Sequence, residues 1–122
     1  MKKKKRGFEI DGTYSVIEHK LADSEAFKDL NLSTKWLYME FKFRFHGDNE
    51  RHIIFTYKEA IKIMNNITFI KSRDRLLENG LIDIVKRGGF NKEPTIYGLS
   101  DRWKKFGTKE FVKFNRRKIK YL

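Results

Sequence analysis

Three features between Phe55 and Leu99 predict an α+β fold of winged-helix type: a helix opened by a capping box, a second helix closed by a glycine, and two β-branched runs joined as a hairpin. Thr56 and Glu59 have the T-x-x-E spacing that opens a helix over TYKEAIKIM, and Asn65-Asn66 breaks it. Thr68 is then placed to cap a second helix with Phe69, Ile70, Leu76 and Leu77 on roughly one side, ending at Gly80. The turn between the helices is tight and polar, the pattern of a helix-turn-helix. LIDIVKRGG, FNKEP and TIYGLS follow as strand, loop and strand.

The flanking elements take their places around this centre. Phe8 to Leu21 reads as an extended lead-in, interrupted by a turn at Asp11-Gly12. Asp23 is a candidate cap for a short helix through Leu30, with Ala26, Phe27 and Leu30 inward. Ser33 is a candidate cap for the longest helix, Thr34 to Phe45. There Met39, Phe41, Phe43 and Phe45 alternate with Glu40, Lys42, Arg44 and His46, a strand-like period. A capped apolar segment of about a dozen residues exceeds an average strand of about five or six, so helix is the better reading.

Gly47-Asp48-Asn49 ends that helix, and Arg51 to Thr56 reads as a short strand able to pair with the hairpin. Arg73 stands in the apolar stripe of the second motif helix and requires a partner, with Asp83 and Glu59 the acids considered. After the hairpin, Ser100 is expected to cap a helix over Asp101 to Phe106 that stops at Gly107, with Trp103 and Phe106 in the core. A further turn or two from Thr108 would carry Phe111, Val112 and Phe114. The terminal RRKIKYL alternates basic and apolar residues and fits a strand, an arm along DNA, or a dimer contact. The expected organisation is a basic arm (1–7), one domain (8–114) and a basic tail (115–122).

The stretch from Ala26-Phe27 and Leu32-Ser33 through LENGLIDI, GGF, TIYGLS and DRWKKFGTKEF resembles compact winged helix-turn-helix proteins of microbial and phage-like genomes. It covers roughly residues 21 to 111, and its most specific parts are E-N-G-L-I-D and S-D-R-W-K-K-F-G-T. The chain departs from that pattern in a turn about one residue shorter and at Arg73-Asp74. The resemblance implies a helix over 34–45, DNA binding, and a setting in a mobile element.

Composition narrows the function classes. A chain of 122 residues with eleven Phe can bury one small core, and 36% charged residues do not make it disordered. Without cysteine there is neither a disulfide framework nor a thiolate metal site. No apolar run approaches the roughly 20 residues of a membrane span, and a cytoplasmic protein is expected. The net charge of +12 is concentrated at the ends: residues 1–6 hold five basic residues and no acidic one, and residues 102–122 hold nine and one. Residues 7–101 hold fourteen basic and fifteen acidic residues, close to neutral. Cationic ends suit a polyanion, because each Lys or Arg set on a phosphate releases counterion; a solvating tail is the plainer alternative.

Nothing in the sequence has the spacing of a catalytic or metal site. His19, His46 and His52 are scattered, and Gly88-Gly89 is a turn rather than a phosphate cradle. The expectation is therefore a non-enzymatic protein without cofactor whose partner is double-stranded DNA, with a homodimer compatible with two half-sites. A recognition helix reads bases with outward residues near its N-terminus, here Thr68, Lys71, Ser72 and Arg75. Lys86, Arg87 and Lys92 on the hairpin, Lys3, Lys4, Lys5 and Arg6 in the arm, and Arg116, Arg117 and Lys118 in the tail would contact the backbone. The functions expected are transcription regulation or an accessory role in replication of a mobile element. The alternatives are a protein-interaction module, and RNA or single-strand binding through the tails.

Overall fold

A computed structural model describes residues 12–89, 93–118 and 120–121 of the chain. Its helices are α1 (His19–Ala22), α2 (Glu25–Lys28), α3 (Leu32–Phe43), α4 (Tyr57–Ala60) and α5 (Asn66–Glu78), and its strands are β1 (Ile53–Ile54), β2 (Ile82–Arg87), β3 (Ile96–Leu99) and β4 (Lys120–Tyr121). The architecture is α+β. One sheet runs in the order β1-β3-β2-β4, antiparallel through β2 and parallel between β2 and β4. The N-terminal arm with Lys3, Lys4, Lys5 and Arg6, and Lys92 at the hairpin loop, lie outside the described residues.

The long segment is a helix despite its strand-like alternation. Phe41 is fully buried while Phe43 points outward, two residues or about 200° further round the helix. Phe41 starts an aromatic chain that holds helices and sheet together: its ring lies 5.0 Å from Tyr97 and 5.2 Å from Phe55, which stacks 5.7 Å from Phe69, itself 5.3 Å from Tyr57. Leu37, Leu76, Leu77, Leu81 and Ile82 fill the rest of the core.

The capping box is as expected: Glu59 N donates to Thr56 Oγ1 and Thr56 N to Glu59 Oε1, both at 3.2 Å. Three other caps differ from the sequence reading. Ser24 rather than Asp23 caps α2, Asn31 rather than Ser33 caps α3, and Asn65 rather than Thr68 caps α5. In each case several cap-competent residues crowd together, and the one chosen lets the following apolar face reach the core. Thr68 is consequently the third residue of α5, where its N–H donates to Asn65 Oδ1 at 2.8 Å.

The segments carrying the two most specific motifs form one joint. Gly80, at φ +82, closes α5: Leu81 N donates to Leu76 O and Gly80 N to Leu77 O. A Cβ at Gly80 would lie 2.7 Å from Trp103 N, which donates to Gly80 O. Arg102 donates to Asp83 Oδ1 and Val112 O at 2.8 Å each, and to Leu77 O and Ile82 O at 2.8 and 3.0 Å. Arg51 reaches Asp83 Oδ2 from the other side at 2.9 Å, lying across Gly98, where a Cβ would meet its guanidinium. The buried Asn79 donates to Ala26 O and Asp29 Oδ2.

Beyond β3 the chain is less helical than expected. Arg102–Lys105 is a 3-10 turn whose N-cap is Asp101 rather than Ser100; Ser100 Oγ still accepts from Arg102 N at 3.2 Å, and Trp103 is buried. Residues 108–115 form no helix. Phe106, Phe111 and Phe114 are half-buried and Val112 is exposed, because the segment is tied down by Arg102 at the Val112 carbonyl rather than by a helical face. Of the three readings of the terminal run, the strand is realised: β4 pairs with β2, Lys120 opposite Lys86 and Tyr121 opposite Arg87.

Candidate nucleic-acid interface

The candidate interface is built on α5. Phe69, Leu76 and Leu77 anchor its inner side, so Asn66, Ile67, Lys71, Arg75 and Glu78 are left exposed. Lys71 and Arg75 therefore stand where the sequence places them, and Thr68 is half-buried. Ser72 does not: it is buried, lining with Thr34 the seam where α5 packs on α3. A small hydroxyl residue there lets the helices approach, and it cannot face a groove. The 100° step already puts Ser72 only about 60° from Phe69, nearer the apolar stripe than Lys71 or Arg75. A break at Asn65-Asn66 leaves Asn66 and Ile67 outside the sequence-expected helix; with Asn65 as the cap, a role Asn fills as well as Thr, they form its exposed first turn.

Arg73 is buried beside Tyr57 and Phe69 of the aromatic chain and takes neither Asp83 nor Glu59. Those acids are committed to Arg51 and Arg102, and to Arg44. Its guanidinium donates to Asp74 Oδ1 and to the Tyr57 hydroxyl at 3.2 Å each, with the Tyr97 hydroxyl close by. Burial pulls Arg73 down, but the two tyrosine hydroxyls outweigh it and hold the group above the ordinary arginine value. Burial pushes the Tyr97 hydroxyl up, and the neighbouring Arg73 offsets only part of this. Asp74 also holds Arg116 at 3.0 Å, bringing the tail against α5.

On the hairpin, Lys86 is exposed and Arg87 half-buried near Tyr97. Register shifts between Ile84 and Lys86, so a bulge twists the strand end that carries both. Arg117 is exposed, its N–H donating to Asn115 Oδ1, and Lys118 ends the 3-10 turn Arg116–Lys118 that leads into β4. The β4 pairing thus brings the basic tail beside Lys86 and Arg87.

Most of the described arginines are committed. Arg44, Arg51, Arg73, Arg75, Arg102 and Arg116 sit in ion pairs, whereas Arg87 and Arg117, with Lys58, Lys62, Lys71, Lys86, Lys109 and Lys113, are in none among the described residues. The pairs of Arg75 with Asp29 and Glu78 are long, 3.6 and 3.9 Å, and exposed. Such pairs contribute about 0–1 kcal/mol, less than the roughly 1–3 kcal/mol of a bidentate guanine contact, so Arg75 can exchange one for the other.

A cleft of about 790 Å³ opens between α5 and residues 106–116. Phe106, Phe111 and Phe114 line it, with Arg75, Lys109 and Lys113 among its charged residues. Among the described residues no cluster of His, Cys, Asp or Glu could hold a metal ion, and no helix is long and apolar enough to cross a membrane. No protein-family model, curated protein or solved structure matches the chain.

Proposed function

We propose that the chain is a winged helix that binds double-stranded DNA without catalysis, laying α5 in the major groove and the β2–β3 hairpin along the backbone. The observation that carries this reading is the β4–β2 pairing, which gathers the basic C-terminal residues beside Lys86 and Arg87 on the sheet that follows α5. Asn66, Ile67, Lys71 and Arg75 would face base edges: Asn suits adenine, Ile a thymine methyl and Arg guanine. The unpaired lysines act as point charges on phosphates. The arginine commitments favour backbone-dominated, semi-specific binding. A small regulator and an accessory protein of a mobile element both fit this mode.

A second reading rests on the aromatic cleft. Its phenylalanines and basic neighbours suit an unpaired base with its phosphate, as in single-stranded DNA or RNA. Fluorescence anisotropy against duplex DNA, single-stranded DNA and RNA over a salt series separates the two. Duplex binding through α5 predicts preference for duplex, with Lys71→Ala lowering the salt slope by about 1. Preference for single strands, with Lys71→Ala silent and Phe111→Ala or Lys113→Ala weakening binding, selects the cleft instead.

A further inference from the structure

α3 presents a second apolar face, opposite the one it gives the core. Leu32, Trp36 and Phe43 are 84%, 49% and 51% exposed, and Met39 is half-buried between them. These residues recur at alternating spacings of four and three, the d-a-d-a seam of a helix that pairs with another helix. The Trp36 and Phe43 rings meet edge-on at 6.0 Å, forming a ridge over Met39. Tyr14 and Val16, both exposed, continue the patch; with Phe43 and Phe45 they line a groove of about 860 Å³, held to α3 by Ser15 Oγ donating to Lys42 O. Nothing among the described residues covers this surface. Contiguous exposed apolar residues on a chain so rich in charge are a feature of protein interfaces.

The flanking charges select the occupant. Lys35 and Lys42 lie on one side of the seam, and Glu40 on the other. When two copies of α3 pack parallel about a two-fold axis, Lys35 of each faces Glu40 of the other, the g-to-e spacing of parallel paired helices. Antiparallel packing would set Lys35 against Lys42 of the second copy, like charge against like. The Glu40 side chain is 15% exposed and Arg44 holds its Oε1 at 3.2 Å, which leaves Oε2, without a partner among the described residues, as the oxygen for Lys35 of the second copy. We propose that the outer face of α3 is the interface with a second copy of this chain, packed parallel along Leu32, Trp36, Met39 and Phe43. It does not use α5 and stands whether or not the chain binds DNA.

The test uses the full chain, whose lack of cysteine makes single-cysteine variants clean reporters. Sedimentation at about 100 µM should show a dimer, and Trp36→Glu/Phe43→Glu should weaken it by about tenfold or more with an unchanged far-ultraviolet spectrum. Lys35→Glu should weaken it too, and Lys35→Glu/Glu40→Lys should restore it. Leu32→Cys and Phe43→Cys, each alone, should form disulfide-linked dimers on mild oxidation, since each position faces its own copy in the parallel arrangement. The proposal is overturned if the wild type is monomeric at that concentration, if the glutamate variant still dimerises, or if disulfides form only when the two cysteine variants are mixed. Dimerisation that appears only after deleting residues 1–11 also overturns it, because the chain's own N-terminal residues would then cover the face.

Discussion

Asp83 is held by two arginines of opposite character, and they should differ sharply in their effect on stability. The Arg102 side chain is 13% exposed and its guanidinium satisfies one carboxylate oxygen and the carbonyls of Leu77, Ile82 and Val112. Arg102→Met keeps most of the volume but leaves these acceptors without their charged donor in a partly buried site. Removing one partner of a buried pair costs about 3–5 kcal/mol, against a total stability of roughly 5–15 kcal/mol for a small domain. Arg51 is 54% exposed and serves the other oxygen of the same carboxylate, with one further bond to Leu99 O. Arg51→Met should cost less than about 1 kcal/mol, because water replaces the lost donor. Urea unfolding followed by tryptophan fluorescence measures both, and the Arg102 variant should also melt about 10–20 °C lower. Losses of equal size, or a loss below about 1 kcal/mol for Arg102→Met, would refute the joint as the tie between α5, the hairpin and the segment after it.

Further outcomes follow from the same structure. Gly80→Ala should destabilise by about 2–4 kcal/mol in the same unfolding assay, combining a left-handed backbone at φ +82 with a Cβ forced against Trp103 N. Asn79→Ala should cost about 1–3 kcal/mol by stranding the Ala26 carbonyl, which amide exchange at α2 would register. For Glu59, burial pushes the carboxyl up, but hydrogen bonds from Arg44 and the Thr56 cap, with the Arg44 charge, outweigh it and leave the group below its usual value. A depressed carboxylate stabilises the fold above its unfolded pKa and loses that contribution as pH falls through the folded one. Glu59 therefore contributes a shallow loss of stability below about pH 4.5, a share that Glu59→Gln removes and that is small because the side chain is substantially exposed.

The sequence made local, short-range signals legible. The Thr56–Glu59 box, the Gly80 stop and the β2–β3 hairpin depend on residues close in the chain, and all three are realised. Where a helix begins was less legible, because Asp23 and Ser24, or Asn65 and Thr68, are equally able caps and packing against α3 and the sheet decides between them. The same packing buried Ser72 and gave Arg73 the hydroxyls of Tyr57 and Tyr97, which lie sixteen residues back and across the sheet. Long-range partners of this kind leave no trace in spacing. Asn79, Gly80, Asp83, Arg102 and Trp103, from the E-N-G-L-I-D and S-D-R-W-K-K-F-G-T stretches, hold the joint; none of these five lies on the proposed DNA-contacting face.

The placement of α5 on DNA is tested most directly by amide chemical-shift mapping of the isotope-labelled chain titrated with a short duplex. Groove binding through α5 predicts the largest changes over Asn66 to Arg75 and Lys86 to Gly88, with Leu32 to Phe43 unmoved by the nucleic acid. Changes confined to residues 106–121, with α5 silent, would contradict it.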